Sequence, residues 1–305
     1  GSMGADKGMR DVSDFVVTGE KDFRLEDFPT TLKVDAEERP AYEARLERNK
    51  ARIEELQDRL YAEARESLIV ILQAMDAAGK DSTIRHVLGG INPTGIDVRS
   101  FKQPTSVDRA HGFLWRSFSA LPERGKIAVF NRSYYEECLV VRVHGLWRDY
   151  QLPRRCTDMS EKRYFEERYE DIRGFERYLW RTGNRVVKIF LNVSADKQRE
   201  RFLERIDDEA KNWKFSESDL AERMEWDEYQ RAYEEMVNGT ATRRAPWLVI
   251  PADQKWVART LVSEALIQVL EDMDPRYPEL PRTSLDRLDE CRAALVDGPA
   301  ADVDD

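Results

Sequence analysis

One continuous segment, residues 67–88, does most to decide what this chain can fold into. Ser67-Leu-Ile-Val-Ile-Leu72 is a short, β-branched apolar run of the kind that forms a strand buried on both faces. Gln-Ala-Met-Asp-Ala-Ala-Gly79-Lys80 follows, and a helix is expected over 81–88. A buried strand, a Gly-containing turn and a helix N-terminus together make a phosphate cradle: backbone N–H groups point at the anion and a lysine neutralises it. Ala77, Ala78, Gly79, Asp81, Ser82 and Thr83 are the candidate cradle residues, Lys80 is the candidate cation, and Ser82 or Thr83 offers a hydroxyl near a metal. The match to GxxxxGK[ST] is partial, with Ala74 at the first Gly and Asp81 at the Ser/Thr position. An ordinary strand–turn–helix therefore stays open on pattern alone. Asp76 is the unusual group. A carboxylate beside phosphate is unfavourable unless Mg²⁺ or a reacting proton requires it; the alternative is an Asx-type turn that only shapes the loop.

Similar apolar runs recur at 127–130, 185–193 and 247–250, with a weaker one at 96–101 and helical stretches between most of them. That alternation predicts an α/β fold with a five-stranded parallel sheet and helices on both faces. Residues 36–66 read as an amphipathic helix, with Tyr42, Leu46, Ile53, Leu56, Leu60 and Tyr61 near one face. Two further helices, 160–181 and 216–237, are long, charged and studded with aromatics; the polar stretch 207–216 between helices resembles a flap. The expected organisation is an irregular arm over 1–35 anchored by Phe15, Phe23 and Phe28, a main domain over 36–275 with a lid at about 205–235, and a C-terminal helix with an acidic tail over 276–305. Beyond about residue 297 the tail composition is that of a disordered segment. Gly1-Ser2-Met3 reads as a tag remnant.

Polar residues placed directly after an apolar strand face the crevice where α/β sheets collect ligands. Asn131-Arg132-Ser133 follows the 127–130 run in this way, and Arg132 is suited to stabilising charge on a transferring phosphoryl group, the alternative being a surface ion pair. Arg116 and Arg142 lie in otherwise apolar stretches, where an arginine must pair, snorkel or bind an anion. Lys102, after the weak strand, is similarly placed. Trp180, Trp213, Trp226, Trp247 and Trp256 read as core residues rather than base-stacking platforms. The three cysteines and three histidines are scattered; the cysteines read as free thiols of a reducing compartment, and the histidines make no metal-ligand spacing.

Net charge is −10, which on its face disfavours a polyanionic partner. The distribution changes that. Residues 1–66 carry 12 bases and 17 acids and residues 262–305 carry 4 and 12, whereas residues 99–155 carry 11 bases and 5 acids, a net of +6. The middle of the chain is thus the expected lining of a basic channel. No apolar run is long enough for a membrane span, so no membrane partner is expected and the protein reads as cytoplasmic.

The sequence resembles the second family of polyphosphate kinases. The matching segments are Met75-Asp-Ala-Ala-Gly-Lys-Asp81, Ser100-Phe-Lys-Gln-Pro-Thr105, Phe113-Leu-Trp-Arg116, Phe130-Asn-Arg-Ser-Tyr-Tyr-Glu-Glu137, Val140-Val-Arg-Val-His144, Glu167-Arg-Tyr-Glu-Asp171, Lys211-Asn-Trp-Lys-Phe-Ser216 and Pro246-Trp-Leu-Val-Ile-Pro-Ala-Asp253. Together they span roughly residues 20–275. Each is modest alone; eight in the same order are specific. The resemblance implies a P-loop kinase core like that of thymidylate kinase with a helical lid, Mg²⁺ as cofactor with Mn²⁺ as a substitute, and inorganic polyphosphate, AMP, ADP and ATP as substrates and products. It makes Asp76 catalytic and the carboxylate organiser of the metal. It puts Lys211 and Lys214 in the lid against phosphates, and Asn131 where an aspartate is more usual. Glu136 occupies a position that differs between subgroups, and the Asn-Arg-Ser-Tyr-Tyr-Glu version is similar to the class III members, which phosphorylate both AMP and ADP. It further implies a homo-oligomer, a dimer or tetramer. Three rivals stand beside this reading. An ATP-dependent nucleoside monophosphate kinase is disfavoured by the altered loop. A non-catalytic polyphosphate binder is disfavoured by Asp76, Lys80 and Arg132 occurring together. A nucleic-acid binder is disfavoured by the overall acidity and the lack of a motif.

Overall fold

A computed structural model describes residues 10–298. Its centre is a six-stranded sheet: β1 (Val16–Val17), β2 (Ser67–Ala74), β3 (Ile96–Ser100), β4 (Ile127–Asn131), β5 (Asn184–Asn192) and β6 (Trp247–Pro251). The spatial order is β1-β6-β5-β2-β4-β3. All neighbouring pairs among β2–β6 are parallel, and β1 pairs antiparallel with β6. The five parallel strands are those the apolar runs predict. The sixth is a correction to the five-stranded expectation: it comes from the arm, where two residues are too short a run to carry any alternation signal.

The central strands are apolar because both faces are covered. In β2 residues 67–73 are all buried, as is every residue of β6. One face carries helix α1 (Arg39–Glu63), helix α2 (Lys80–Leu88) and helix α7 (Lys255–Met273), which pack on one another. The other carries α3 (Glu161–Arg181) and α6 (Trp226–Thr240); Tyr233 of α6 stacks on Phe190 of β5 at 4.2 Å between ring centroids. Helices α4 (Ala195–Asp207) and α5 (Glu217–Met224) lie between β5 and α6 in sequence, and α8 (Arg282–Asp297) follows the core with no residue buried. No helix of the described residues is long and apolar enough to cross a membrane.

Other sequence expectations are refined. The helix expected over 216–237 is two, because the backbone at Glu225 leaves the helical region between α5 and α6 (φ −104°, ψ 26°). Residues 134–143 form a 3₁₀ turn (Tyr134–Cys138) and a helical turn (Val140–Val143) that meet at Leu139. The flap is a 3₁₀ turn, Glu209–Lys214, clasped to the end of α4 by Asn212, whose Nδ2 donates to the carbonyls of Arg205, Ile206 and Asp208. In the arm, Phe15 and Phe23 are buried as anchors and Phe28 is partly so. Among the tryptophans, Trp247 is fully buried, while Trp213 is 79% exposed and is no core residue. The tag remnant and the tail beyond residue 298 lie outside the described residues.

The connections set the position of the site. From β2 the chain builds β3 and β4 on one side, then crosses over to build β5 and β6 on the other. The carboxyl ends of β2 and β4 sit side by side, with Leu72 in register with Asn131. That is where an open α/β sheet offers its crevice.

Candidate active site

The loop after β2 closes by a turn in which Ala78 N–H donates to the Met75 carbonyl (3.3 Å). Gly79 follows at φ +94°, a conformation glycine adopts without strain, and α2 begins at Lys80. Ala77 (φ +65°) and, across the crevice, Arg132 (φ +63°) hold left-handed conformations without being glycine. Each costs about 1–2 kcal/mol, and such strain persists where the surroundings over-determine it. They do so here. Gln198 and Arg201, one turn apart on α4, reach the loop: Gln198 Nε2 donates to the Asp76 carbonyl (2.9 Å) and Arg201 Nη1 to that of Ala77 (2.8 Å). Arg201 Nη2 also donates to the carbonyls of Ala252 and Asp253 after β6 (3.1 and 2.9 Å). Arg132 N–H donates to the Leu72 carbonyl (3.1 Å). The loop is rigidly built with its amides and helix N-terminus left for an anion.

Three charged side chains converge on that opening. Arg132 Nη2 lies 3.6 Å from Asp76 Oδ1, and Lys80 feels Arg132, Glu136, Asp76 and Asp81 together. Burial and the Arg132 charge push the Lys80 ammonium down from its ordinary value, while the three carboxylates oppose this. Asn131 Nδ2 donates to Asp81 Oδ1 at 2.6 Å. A carboxylate at 131 would instead meet the Asp81 carboxylate. Glu136 Oε1 accepts from Gln73 Nε2 at 2.9 Å. Ser82 Oγ accepts from Arg259 of α7 (2.6 Å) and Thr83 is buried.

Other candidates lie apart from this group. Arg142 is held by Glu235 (2.5 Å), the Tyr169 hydroxyl (2.7 Å), Glu161 (3.9 Å) and the face of Phe165, so its charge is met by the protein itself. Arg116 donates to the Lys102 carbonyl (2.7 Å), lies over Phe101 and sits 3.9 Å from Asp108. Lys102 is exposed. Lys211 pairs with Glu204, and Lys214 lies over the Trp213 ring. Much of the +6 charge of residues 99–155 is thus engaged in local pairs, and Arg132 alone of the arginines considered there faces Asp76.

The sequence did not single out Gln73, Gln198, Arg201, Asp219, Glu222 or Arg259. The one available signal was helical spacing: Gln198 and Arg201, and again Asp219 and Glu222, are three apart on one helix face. Asp219 and Glu222 of α5 face Asp76. Burial, then the Asp76 carboxylate, raises the carboxyl of each, with Glu222 pushed up to about 9. A folded state that holds this proton, where the unfolded chain releases it near the ordinary glutamate value, loses the corresponding stability as pH rises toward 9. In metal- and nucleotide-free protein the melting temperature is therefore expected to fall between pH 6 and 9. Glu222→Gln should remove that part of the slope. Identical slopes for the two proteins would show that Glu222 carries no such proton.

A mononucleotide-kinase-like sheet, a P-loop and a capping helical segment define a P-loop phosphotransferase. The Polyphosphate kinase 2 profile matches residues 36–278. A polyphosphate kinase 2 crystal structure from Arthrobacter aurescens TC1 superposes with a TM-score of 0.83 at 34% identity, over 95% of this chain and 98% of that one. An ADP-polyphosphate phosphotransferase of Rhodopseudomonas palustris is 44% identical over 88% of this chain and 93% of its own length. An AMP/ADP-polyphosphate phosphotransferase of Meiothermus ruber is 44% identical over 78% and 84% respectively. The chain belongs to the polyphosphate kinase 2 family.

Proposed function

We propose that this protein transfers the terminal phosphoryl group of inorganic polyphosphate to both AMP and ADP, reversibly and by direct in-line displacement. The observation that carries the reading is the meeting of Asp76, Lys80 and Arg132 at the adjoining ends of β2 and β4. The names of the two 44%-identical relatives support polyphosphate as donor and adenine nucleotides as acceptors. The amides of Ala77 and of residues 79–82, at the N-terminus of α2, bind the donor phosphates, and Lys80 neutralises them. Arg132 stabilises charge on the group in flight. An oxygen of the acceptor's terminal phosphate forms the new P–O bond as the bridging P–O bond of the donor breaks, and the shortened polyphosphate leaves. Lys211 and Lys214 bring charge from the lid to the chain of phosphates.

Asp76, with Glu136, Asp219 and Glu222 nearby, offers the hard oxygen donors that suit Mg²⁺, for which Mn²⁺ can substitute. Among the described residues no group of three or more His, Cys, Asp or Glu is arranged to hold a metal unaided, so Asp76 would hold the ion together with the substrates. Such an ion supplies charge neutralisation on the phosphates. Asp76 holds its place through the Gln198 bond to its own carbonyl.

Purified protein given long-chain polyphosphate, Mg²⁺ and either AMP or ADP should yield ATP from both acceptors, followed by chromatography of the nucleotides. ATP from ADP alone would remove the dual specificity. Failure with polyphosphate alongside phosphorylation of AMP by ATP would replace this reading with an ATP-dependent nucleotide kinase.

A further inference from the structure

Gln73 is fully buried near the end of β2, three residues before Asp76. Polar side chains are rare in a central parallel strand, and this one has both ends of its amide in use. Its Oε1 accepts from Ser133 Oγ (2.9 Å) and its Nε2 donates to Glu136 Oε1 (2.9 Å). Ser133 Oγ in turn accepts from the Tyr135 N–H (3.1 Å). Only one amide orientation works: reversed, the carbonyl oxygen would face the Glu136 carboxylate, which has no proton to give. One side chain thereby pins two points of the segment that begins with Arg132. The strained turn at Arg132 is held from the same strand by the Leu72 carbonyl. Glu136 Oε2 keeps no hydrogen-bond partner among the described residues, while the carboxylate lies within electrostatic reach of Lys80 and Arg132.

We propose that Gln73 is a positioning residue for the transfer: its amide fixes the Glu136 carboxylate and the Ser133 hydroxyl, and through them the Arg132 turn, relative to the donor loop. This rests on the functional reading above. It extends that reading by assigning the register between donor loop and acceptor turn to a residue that touches neither substrate. A buried amide satisfied at both ends has no need of the site for its own stability, yet it joins the strand that carries Asp76 to the segment that follows Arg132 at two points.

The test is steady-state kinetics of Gln73→Leu with AMP and with ADP, polyphosphate being varied through saturation, on protein shown to be folded by circular dichroism. Loss of outer-shell support of this kind lowers activity by about 10–100-fold. The fall is expected in kcat, with KM for polyphosphate within about threefold of wild type, since the loop amides are untouched. Gln73→Met keeps the length and approximate volume of the side chain and removes both hydrogen bonds without burying a charge, so it serves if the leucine variant does not fold; the same kcat-weighted loss is expected. A double-mutant cycle with Glu136→Ala separates positioning from general disruption. If Gln73 acts through Glu136, adding Gln73→Leu to Glu136→Ala costs far less than it costs alone. Strictly additive losses, or a Gln73→Leu kcat within twofold of wild type, would overturn the proposal. A wild-type protein that transfers nothing from polyphosphate would instead overturn the functional reading beneath it.

Discussion

Asp76→Asn should reduce ATP formation from polyphosphate by about 10²–10³-fold, the loss typical of removing one preorganised electrostatic group from a transition state. The fold should be unharmed. The Asp76 contact that shapes the loop is its backbone carbonyl, which accepts from Gln198 and is unchanged by the substitution. The ion pair with Arg132 is long, at 3.6 Å, and the Arg132 side chain is 49% exposed, so its loss contributes little to stability. Meanwhile Asp219 loses a repelling neighbour, and the proton-bearing carboxyl of Glu222, which hydrogen-bonds to the Asp76 side chain, keeps an oxygen acceptor in the new amide. The variant should therefore melt at or above the wild-type temperature while being nearly inactive, with polyphosphate binding retained because Lys80 and the loop amides remain. Activity within about fivefold of wild type would remove Asp76 from the chemistry; lost binding would make it a structural residue of the loop.

The largest stability effect is expected beneath the site. Lys188, in the centre of β5, is wholly buried, and its Nζ donates to Glu176 Oε1 (2.8 Å), the Tyr135 hydroxyl (2.8 Å) and the Thr240 carbonyl (3.0 Å). The hydroxyls of Tyr134 and Tyr135 also donate to Glu176. Burial pushes the lysine down from its ordinary value, and the Glu176 carboxylate opposes this. Lys188→Met removes the cation and leaves a carboxylate in the core, which typically costs about 3–5 kcal/mol. At about 2–4 °C per kcal/mol, thermal unfolding should fall by roughly 6–20 °C. Adding Glu176→Gln should recover much of that by neutralising the stranded charge. A single variant that melts within about 2 °C of wild type would mean the pair titrates away at little cost.

The five parallel strands could be read because burial on both faces leaves an unbroken apolar run, and the P-loop because its chemistry is contiguous in sequence. What could not be read was set by tertiary contacts. An arginine in apolar surroundings must pair or bind an anion, and sequence cannot say which: Arg142 found Glu235 and Glu161, whereas Arg132 found Asp76. Asp219 and Glu222 have the spacing of any solvated helix face, and only the packing of α5 against Asp76 sets them apart. Gln73 and Lys188 sit in apolar strands where their partners come from residues 63 and 12 positions away. The breaks at Leu139 and Glu225 carry no Gly or Pro to announce them.

The short β1 strand matters beyond its two residues. By pairing Val16 with Leu248 and Val17 with Trp247 it covers the first two residues of the outer edge of β6, a strand that is buried, apolar and free of charge. An uncovered edge of that composition is a template for adding strands from other molecules. The opposite edge, β3, needs no such cover, since Asp97 and Arg99 interrupt it and most of it is exposed. The arm thus guards the protein against self-association into aggregates as it emerges from unfolding, and solubility, more than catalysis, is the property that its loss would compromise first.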